Sequence, residues 1–312
     1  MDQNELACFL VLAEELHFGR TAARLRLSRA RVSQLVQRLE RRLGAPLFTR
    51  TSRRVALTGL GARLREELEP HYRGIEDALA HAVAAARAAA GVLHVGFSTP
   101  LAGEIVVKVT ERLRGTRPGL AVEVCEAPLS DPYGMLRRGG HDLQLTDFPL
   151  RDGELRHGPT LFTEGRVLAV AAGHPLAGRA AVTPEDLAGV PLLAVEGDLP
   201  EEWRRHRLPA RTPGGRPIPR GPSVSGFEEA LTLVAGGLGA MLTAAHSALY
   251  HGRPGVSYVP VEEDEPLRYA LMWRSGDANE ALRHFAALTR EVIRETAPGI
   301  RPASAPRAAE AA

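Results

Sequence analysis

Three arginines on a short tip and a row of Arg and Gln on one helical face are the residues here best suited to chemistry. Arg50, Arg53 and Arg54 cluster around Thr51 and Ser52, between Pro46-Leu47-Phe48 and Val55-Ala56-Leu57. Two short apolar runs around a basic tip predict a hairpin. Its guanidinium groups suit phosphate contact or insertion into a narrow minor groove. Just upstream, Val32, Val36, Leu39 and Leu43 recur at helical spacing. At roughly 100° per residue this stripe leaves Ala30, Arg31, Gln34, Gln37, Arg38 and Arg41 on the opposite face. Arg can bond guanine bidentately, Gln can do the same to adenine, and a small Ala can touch a thymine methyl. An ordinary solvated basic face is the competing reading of the helix alone.

The elements that must position these groups are legible nearby. Leu6, Phe9, Leu10 and Ala13 predict a first amphipathic helix, and Phe18, Ala22 and Leu25 a shorter second one. Ser28 is a good N-cap for the third helix, and Gly44 a stop. Residues 1–60 hold eleven Arg against five Asp or Glu, a net of +6, while the rest of the 312-residue chain sums to −4. A basic head on a mildly acidic body is the asymmetry of a nucleic-acid binder.

The pattern FxRTAxxLxxS…VSQxVxxLExxLGxPLFxRTxRxVxLTxxG, running from Phe18 to Gly61, resembles the winged helix-turn-helix of LysR-type transcriptional regulators. The resemblance implies three parts. A mainly α winged helix-turn-helix occupies residues 1–58, a linker and dimerisation helix 59–90, and an α/β two-lobed, periplasmic-binding-protein-like effector domain 91–296. It implies DNA contact by Ser28, Arg29, Ala30, Arg31, Ser33, Gln34, Gln37 and Arg38 on the helix, and by Arg50, Thr51, Ser52, Arg53 and Arg54 on the wing. Many members carry Gln-Pro-Ala or similar after the capping Ser, where this chain has Arg29-Ala30-Arg31. The docking mode is therefore expected to carry over, and the preferred bases are not.

From Gly59 to about Ala90, Leu60, Leu64, Leu68, Tyr72, Ile75, Leu79 and Val83 recur every three or four residues. One apolar stripe down a long helix needs a partner. A second copy of the chain is the expected one, with packing on its own chain as the rival, and the resemblance implies dimers that pair into tetramers. Pro70 and Gly74 are expected to kink or loosen its middle.

Beyond Gly91, short apolar runs alternate with helical segments, which argues for α/β with mostly parallel strands. Strands are expected at Val92–Phe97, Leu120–Cys125, Leu143–Leu145, Val167–Ala171, Leu192–Val195, Ala240–Thr243, Val256–Val261 and Tyr269–Trp273. Helices are expected at 100–115, 130–138, 183–189, 225–238 and 277–295. Ligands in such sheets sit beyond the carboxyl ends of strands, where helices begin. Phe97-Ser98-Thr99-Pro100 is one such place, and Ser223-Val224-Ser225-Gly226-Phe227 is another. Each is also read as a plain N-cap.

The resemblance implies a small-molecule effector in the cleft between two lobes, lobe I at about 91–161 and 268–296 and lobe II at about 162–267. Crossings between lobes are placed near 160–166 and 262–268. By position Ser98, Thr99 and Pro100 match the first-strand ligand loop. Ser130, Thr163, Glu196, Ser223, Ser225 and Phe227 join the effector-binding candidates. Glu196 and Asp198, if in the cleft, would disfavour a simple dicarboxylate. Gln144, where the family usually has a small residue, could reach the cleft or a dimer contact.

Other classes find little support. There is no GxxxxGK[ST] phosphate loop, no G-x-S-x-G elbow and no paired-Cys or His spacing for zinc. No catalytic residue, cofactor or metal is expected. Hydrophobic content is 44%, no apolar run approaches the ~20 residues of a membrane span, and the start lacks signal-peptide character. A cytoplasmic, non-membrane protein is expected, with duplex DNA, a second copy of itself, a small effector and RNA polymerase as partners. Cys8 and Cys125 are read as buried, inert thiols, with redox sensing as the rival. Lys108 is the only lysine, a trait of GC-rich coding. The tail 297–312 has disorder composition. The rival functions are a solute-binding or enzymatic α/β domain that the basic head only localises, and a ligand-independent DNA binder.

Overall fold

The computed structural model describes residues 2–50, 55–148, 153–197, 199–276, 280–296 and 301–302. The chain divides into two compact units, residues 1–79 and 80–312.

The first unit is a three-helix head. Helix α1 spans Gln3–Glu15, α2 Phe18–Arg24 and α3 Arg29–Leu43, followed by β1 (Phe48–Arg50) paired antiparallel with β2 (Val55–Leu57). Its core collects Cys8, Phe9, Leu12, Ala13, Val32, Leu35, Val36, Leu39, Leu47 and Phe48. Helix α3 begins where Ser28 Oγ accepts the Arg31 amide at 3.1 Å and ends at Gly44, whose φ of 72° suits glycine. Leu43, expected in the buried stripe, is 45% exposed. Leu35 is buried in its stead, because the stripe drifts around the helix and leaves the core before the last turn. Glu40 then folds the chain back, its Oε1 accepting the Leu47 and Phe48 amides at 2.9 and 3.2 Å.

Helix α4 runs Gly59–Ala89 as one element through Pro70. Gly61 is required near its start, since a Cβ there would sit 2.2 Å from the Leu47 carbonyl oxygen. Leu60, Leu64, Leu68 and Tyr72 pack against the head core, whereas Ile75, Leu79 and Val83 are 51–56% exposed. The long stripe is therefore two stripes, one covering the head and one bare.

In the second unit, lobe I is built from β3 (Val92–Phe97), α5 (Pro100–Thr116), β4 (Ala121–Glu126), α6 (Gly134–Arg137), β5 (Leu143–Phe148), β6 (Leu155–His157) and β7 (Phe162–Glu164). Lobe II follows with β8 (Arg166–Ala171), a 3₁₀ turn at Pro184–Gly189, β9 (Leu192–Val195), α7 (Glu201–Arg207), β10 (Arg220–Val224), α8 (Phe227–Ala235), β11 (Met241–Ala244), α9 (Ser247–Tyr250) and β12 (Val256–Val261). The chain returns to lobe I with β13 (Leu267–Arg274), α10 (Glu280–Thr296) and β14 (Arg301–Pro302). The lobe I sheet has the order β14-β7-β13-β5-β3-β4, with β6 also on β13, and lobe II holds β11-β8-β12 and β10-β9. The chain passes from β7 to β8 at Gly165 and from β12 to β13 between Val261 and Leu267.

The expectation of mostly parallel strands is corrected. Among the described strands only β3 with β4 and β5, and β9 with β10, pair in parallel; β13 lies antiparallel to β5, β6 and β7, as β8 does to β11 and β12. The cause is the second crossing, which sends β13 back through the lobe I sheet in the reverse direction. Helix 130–138 shrinks to Gly134–Arg137, and 225–238 to Phe227–Ala235. Cys125 is exposed, because β4 is an edge strand with one bare face, while Cys8 is buried. Of the stretch after 296, Arg301–Pro302 forms a two-residue strand on β7, which departs from disorder at those residues. Among the described residues no helix is long and apolar enough to cross a membrane.

Candidate functional site

Two surfaces could carry function, one in each unit. On α3, burial of Val32, Leu35, Val36 and Leu39 turns Arg29, Ala30, Gln34, Gln37 and Arg38 to solvent, with Arg31 and Ser33 half-buried. Ser28 serves as the cap. Among the described residues the Gln34, Gln37 and Arg38 side chains have no hydrogen-bond partner, so their groups are free for base edges. Three other head arginines are engaged: Arg20 pairs Glu15 at 2.9 Å, Arg24 pairs Glu14 at 2.6 Å, and Arg42 pairs the buried Glu5 at 2.9 Å. Those pairs hold the helix crossings, whereas the α3 face is left open. Arg50 ends β1; Thr51, Ser52, Arg53 and Arg54 lie outside the described residues. Burial pushes the Cys8 thiol up to about 11, which keeps it protonated and inert.

In the second unit the candidates gather at strand ends. Ser98 follows β3, and its amide donates to Leu145 O of the neighbouring β5 at 3.2 Å. Its Oγ is buried with no hydrogen-bond partner among the described residues. Thr99 Oγ accepts the Ala102 amide at 3.3 Å, Thr99 O accepts the Gly103 amide at 2.9 Å, and Pro100, which has no N–H, opens the 17-residue α5, so among the described residues the Leu101 amide is the one left over at the helix start. An orphaned hydroxyl beside a helix N-terminus is a donor set for an acceptor or anionic group.

In lobe II, Glu196 and Ser225 lie just past the ends of the parallel pair β9 and β10, and the Glu196 amide donates to Val224 O at 2.8 Å. Gly197 lies so close to Ser130 that a Cβ would sit 1.9 Å from the Ser130 carbonyl oxygen. That approach joins a lobe I loop to a lobe II loop. The Ser225 hydroxyl is taken by Glu229 at 3.1 Å, which makes it a helix-start group. Ser223 is exposed, and Phe227 is half-buried against the His251 ring at 4.5 Å. Thr163 is the middle residue of the three-residue β7, opposite Arg268. Gln144 is buried, bonded to His141 at 3.2 Å and to Pro132 O at 2.8 Å. Asp198 lies outside the described residues.

The residues that knit the lobes together are ones the sequence reading passes over. Tyr133, Leu136, Leu155 and Met272 of lobe I share one apolar cluster with Val195, Leu199, Trp203 and Val224 of lobe II. Beside it Arg207, at the end of α7, meets Asp147 of β5 at 2.7 Å, with both side chains at least 90% buried. Burial works against the Arg207 charge, but Asp147 and then Tyr269 outweigh it, and its pKa is raised above the ordinary arginine value. Tyr133 hydroxyl donates to the Asp147 carbonyl at 3.0 Å. At the first crossing Glu164 meets His246 Nδ1 at 2.8 Å, and at both crossings Arg166 pairs with Asp264. The one available signal was ordinary: Asp147, Glu164 and Arg166 are charged residues inside apolar runs.

A helix-turn-helix head followed by a long helix and a two-lobed α/β unit defines a DNA-binding protein with a built-in ligand sensor. Residues 3–62 match the family model described as bacterial regulatory helix-turn-helix protein, lysR family, and residues 86–294 match the LysR substrate binding domain. This chain belongs to the LysR family of transcriptional regulators. The HTH-type transcriptional regulator ShiR of Corynebacterium glutamicum (strain R) is 30% identical over 288 residues, which cover 90% of this chain and 95% of ShiR. IlvR of Caulobacter vibrioides is 28% identical over 309 residues, with 93% and 98% covered. Among solved structures, a hydrogen peroxide-bound OxyR mutant of Corynebacterium glutamicum aligns with a TM-score of 0.51 at 25% identity, covering 94% of each chain.

Proposed function

We propose that this regulator reads promoter DNA with the exposed face of α3 and responds to a small molecule held where β3 meets α5. Ala30, Arg31, Gln34, Gln37 and Arg38 meet base edges in the major groove, Ser28, Arg29 and Ser33 touch the flanking backbone, and Arg50 to Arg54 grip it. A homo-oligomer forms through the bare stripe Ile75, Leu79 and Val83 on α4, since apolar side chains this exposed on one helix call for a like partner. The observation that carries the reading is the sorting on α3: every large apolar residue before its last turn is buried, and the unpartnered Gln and Arg groups face out.

For the effector, the buried unpartnered Ser98 hydroxyl and the Leu101 amide at the start of α5 supply donors, and the Ser130 and Gly197 loops, which meet each other, are the next candidates to line the site. Effector binding changes how the lobes close, and through the oligomer the spacing of the heads, DNA bending and access of RNA polymerase. Gln34→Ala is expected to weaken the cognate site by about 1–3 kcal/mol while leaving non-specific binding unchanged. Arg53→Ala is expected to weaken all sequences and lower the salt slope by about 1. Fluorescence anisotropy on cognate and scrambled duplexes reads both. Equal loss on the two duplexes for Gln34→Ala would remove the base-reading role. Effector candidates are found by thermal shift of the full chain, and a true cleft ligand loses its shift in Ser98→Ala.

A further inference from the structure

Away from the cleft candidates, a cavity of about 680 Å³ opens on lobe II against the second crossing. That size lies within the ~300–1,000 Å³ range of small-molecule sites. Its floor is apolar, formed by the buried Leu187, Ile218 and Leu242. Ser98, Thr99, Ser130 and Glu196 take no part in its lining.

The charges around it are unevenly satisfied. Each guanidinium at the wall has a partner: Arg166 pairs with Asp264, Arg205 with Glu201 at 2.7 Å, and Arg211 donates to Gly215 O at 2.8 Å. Three carboxylates, Glu202, Glu263 and Glu265, also line it and have no ion-pair partner among the described residues. The His206 ring on the same wall brings no compensating charge at neutral pH. Burial, then the nearby Arg166 and Arg207 guanidinium groups, lower its pKa. With Glu202 half-buried and Glu263 and Glu265 exposed at its rim above an apolar floor, the cavity is complementary to a cation carried on an apolar body.

We propose that this lobe II cavity binds an amine of arylalkyl or alkyl type, its body on Leu187, Ile218 and Leu242 and its ammonium facing Glu202, Glu263 and Glu265. The Arg166–Asp264 pair at the wall joins the first residue after one crossing to the loop of the other, so an amine seated here touches the hinge directly. The site does not depend on how the inter-lobe cleft is used.

The test uses the full chain and two probes of matched shape and opposite charge, 2-phenylethylamine and 3-phenylpropionate. Thermal shift and isothermal titration calorimetry are expected to show saturable binding of the amine and none of the carboxylate. The double variant Glu202→Gln/Glu263→Gln, at positions not buried in the core, is expected to weaken the amine at least tenfold. Ser98→Ala is expected to leave it unchanged. The proposal is overturned if the amine shows no saturable binding, if both probes bind alike, if the double variant binds as the parent does, or if Ser98→Ala abolishes the binding.

Discussion

On α3 the polar side chains point outward and keep their hydrogen-bonding groups uncommitted, whereas between the lobes they have found one another. Gln34, Gln37 and Arg38 have no internal partner among the described residues. Arg207 and Asp147, by contrast, meet at 2.7 Å and His246 and Glu164 at 2.8 Å. The difference follows from what each surface meets. A groove of DNA brings its own donors and acceptors, so a reading face is best left open. Charges buried between the lobes must be satisfied internally, because a lone buried charge costs several kcal/mol. An effector there competes with protein groups, whereas the buried Ser98 hydroxyl has no hydrogen-bond partner among the described residues.

The largest effect expected from this contrast is at the buried pair. Asp147→Ala leaves the Arg207 guanidinium buried and alone, and the full chain is expected to lose about 3–5 kcal/mol in urea unfolding of the larger unit. The double variant Asp147→Leu/Arg207→Met removes both charges and is expected to recover most of that loss. A single variant within ~1 kcal/mol of the parent would show the pair to be solvated, and the contrast with α3 would dissolve.

An intermediate effect is expected at the cap that aims the open face. Ser28→Ala removes the acceptor of the Arg31 amide and is expected to cost about 1 kcal/mol of head stability. It is also expected to weaken specific DNA binding more than substitution of the exposed Arg41, since fraying moves Ala30 and Arg31 first. Circular dichroism melts and anisotropy together check it.

The smallest is a pH effect confined to the larger unit. His141 is held neutral mainly by burial, and His206 by burial and the adjacent guanidinium groups, so both have pKa values lowered from the ordinary 6.5. Below that value the unfolded chain takes up protons that the folded chain refuses, so stability falls as pH falls from about 6.5 and levels off below the folded values. Thermal melts from pH 7.5 to 5 should show the decline, and His141→Asn should flatten it. A flat profile for the parent would mean these rings are solvated.

The two regions were also unequally legible. Helix α3 could be read to within a residue because its cap, stop and apolar period are all local signals. The apolar pattern does not mark helix α7: in Glu201–Arg207 only Trp203 and Arg207 are buried, and a buried arginine breaks the period that signals a helix. Its partner Asp147 lies 60 positions away, a pairing that only the returning topology creates. The split of the α4 stripe at Tyr72 was likewise invisible, since Leu68 and Ile75 look alike until the head is folded against one of them.

The central claim, that the α3 face reads bases, is tested most directly by titrating parent and Gln34→Ala full-length protein onto DNA from upstream of its own gene at physiological salt. The account predicts a sequence-specific complex for the parent, and for Gln34→Ala a loss of about 1–3 kcal/mol confined to that sequence. A parent that binds this DNA no better than a scrambled duplex, or a Gln34→Ala that loses equally on both, would contradict it.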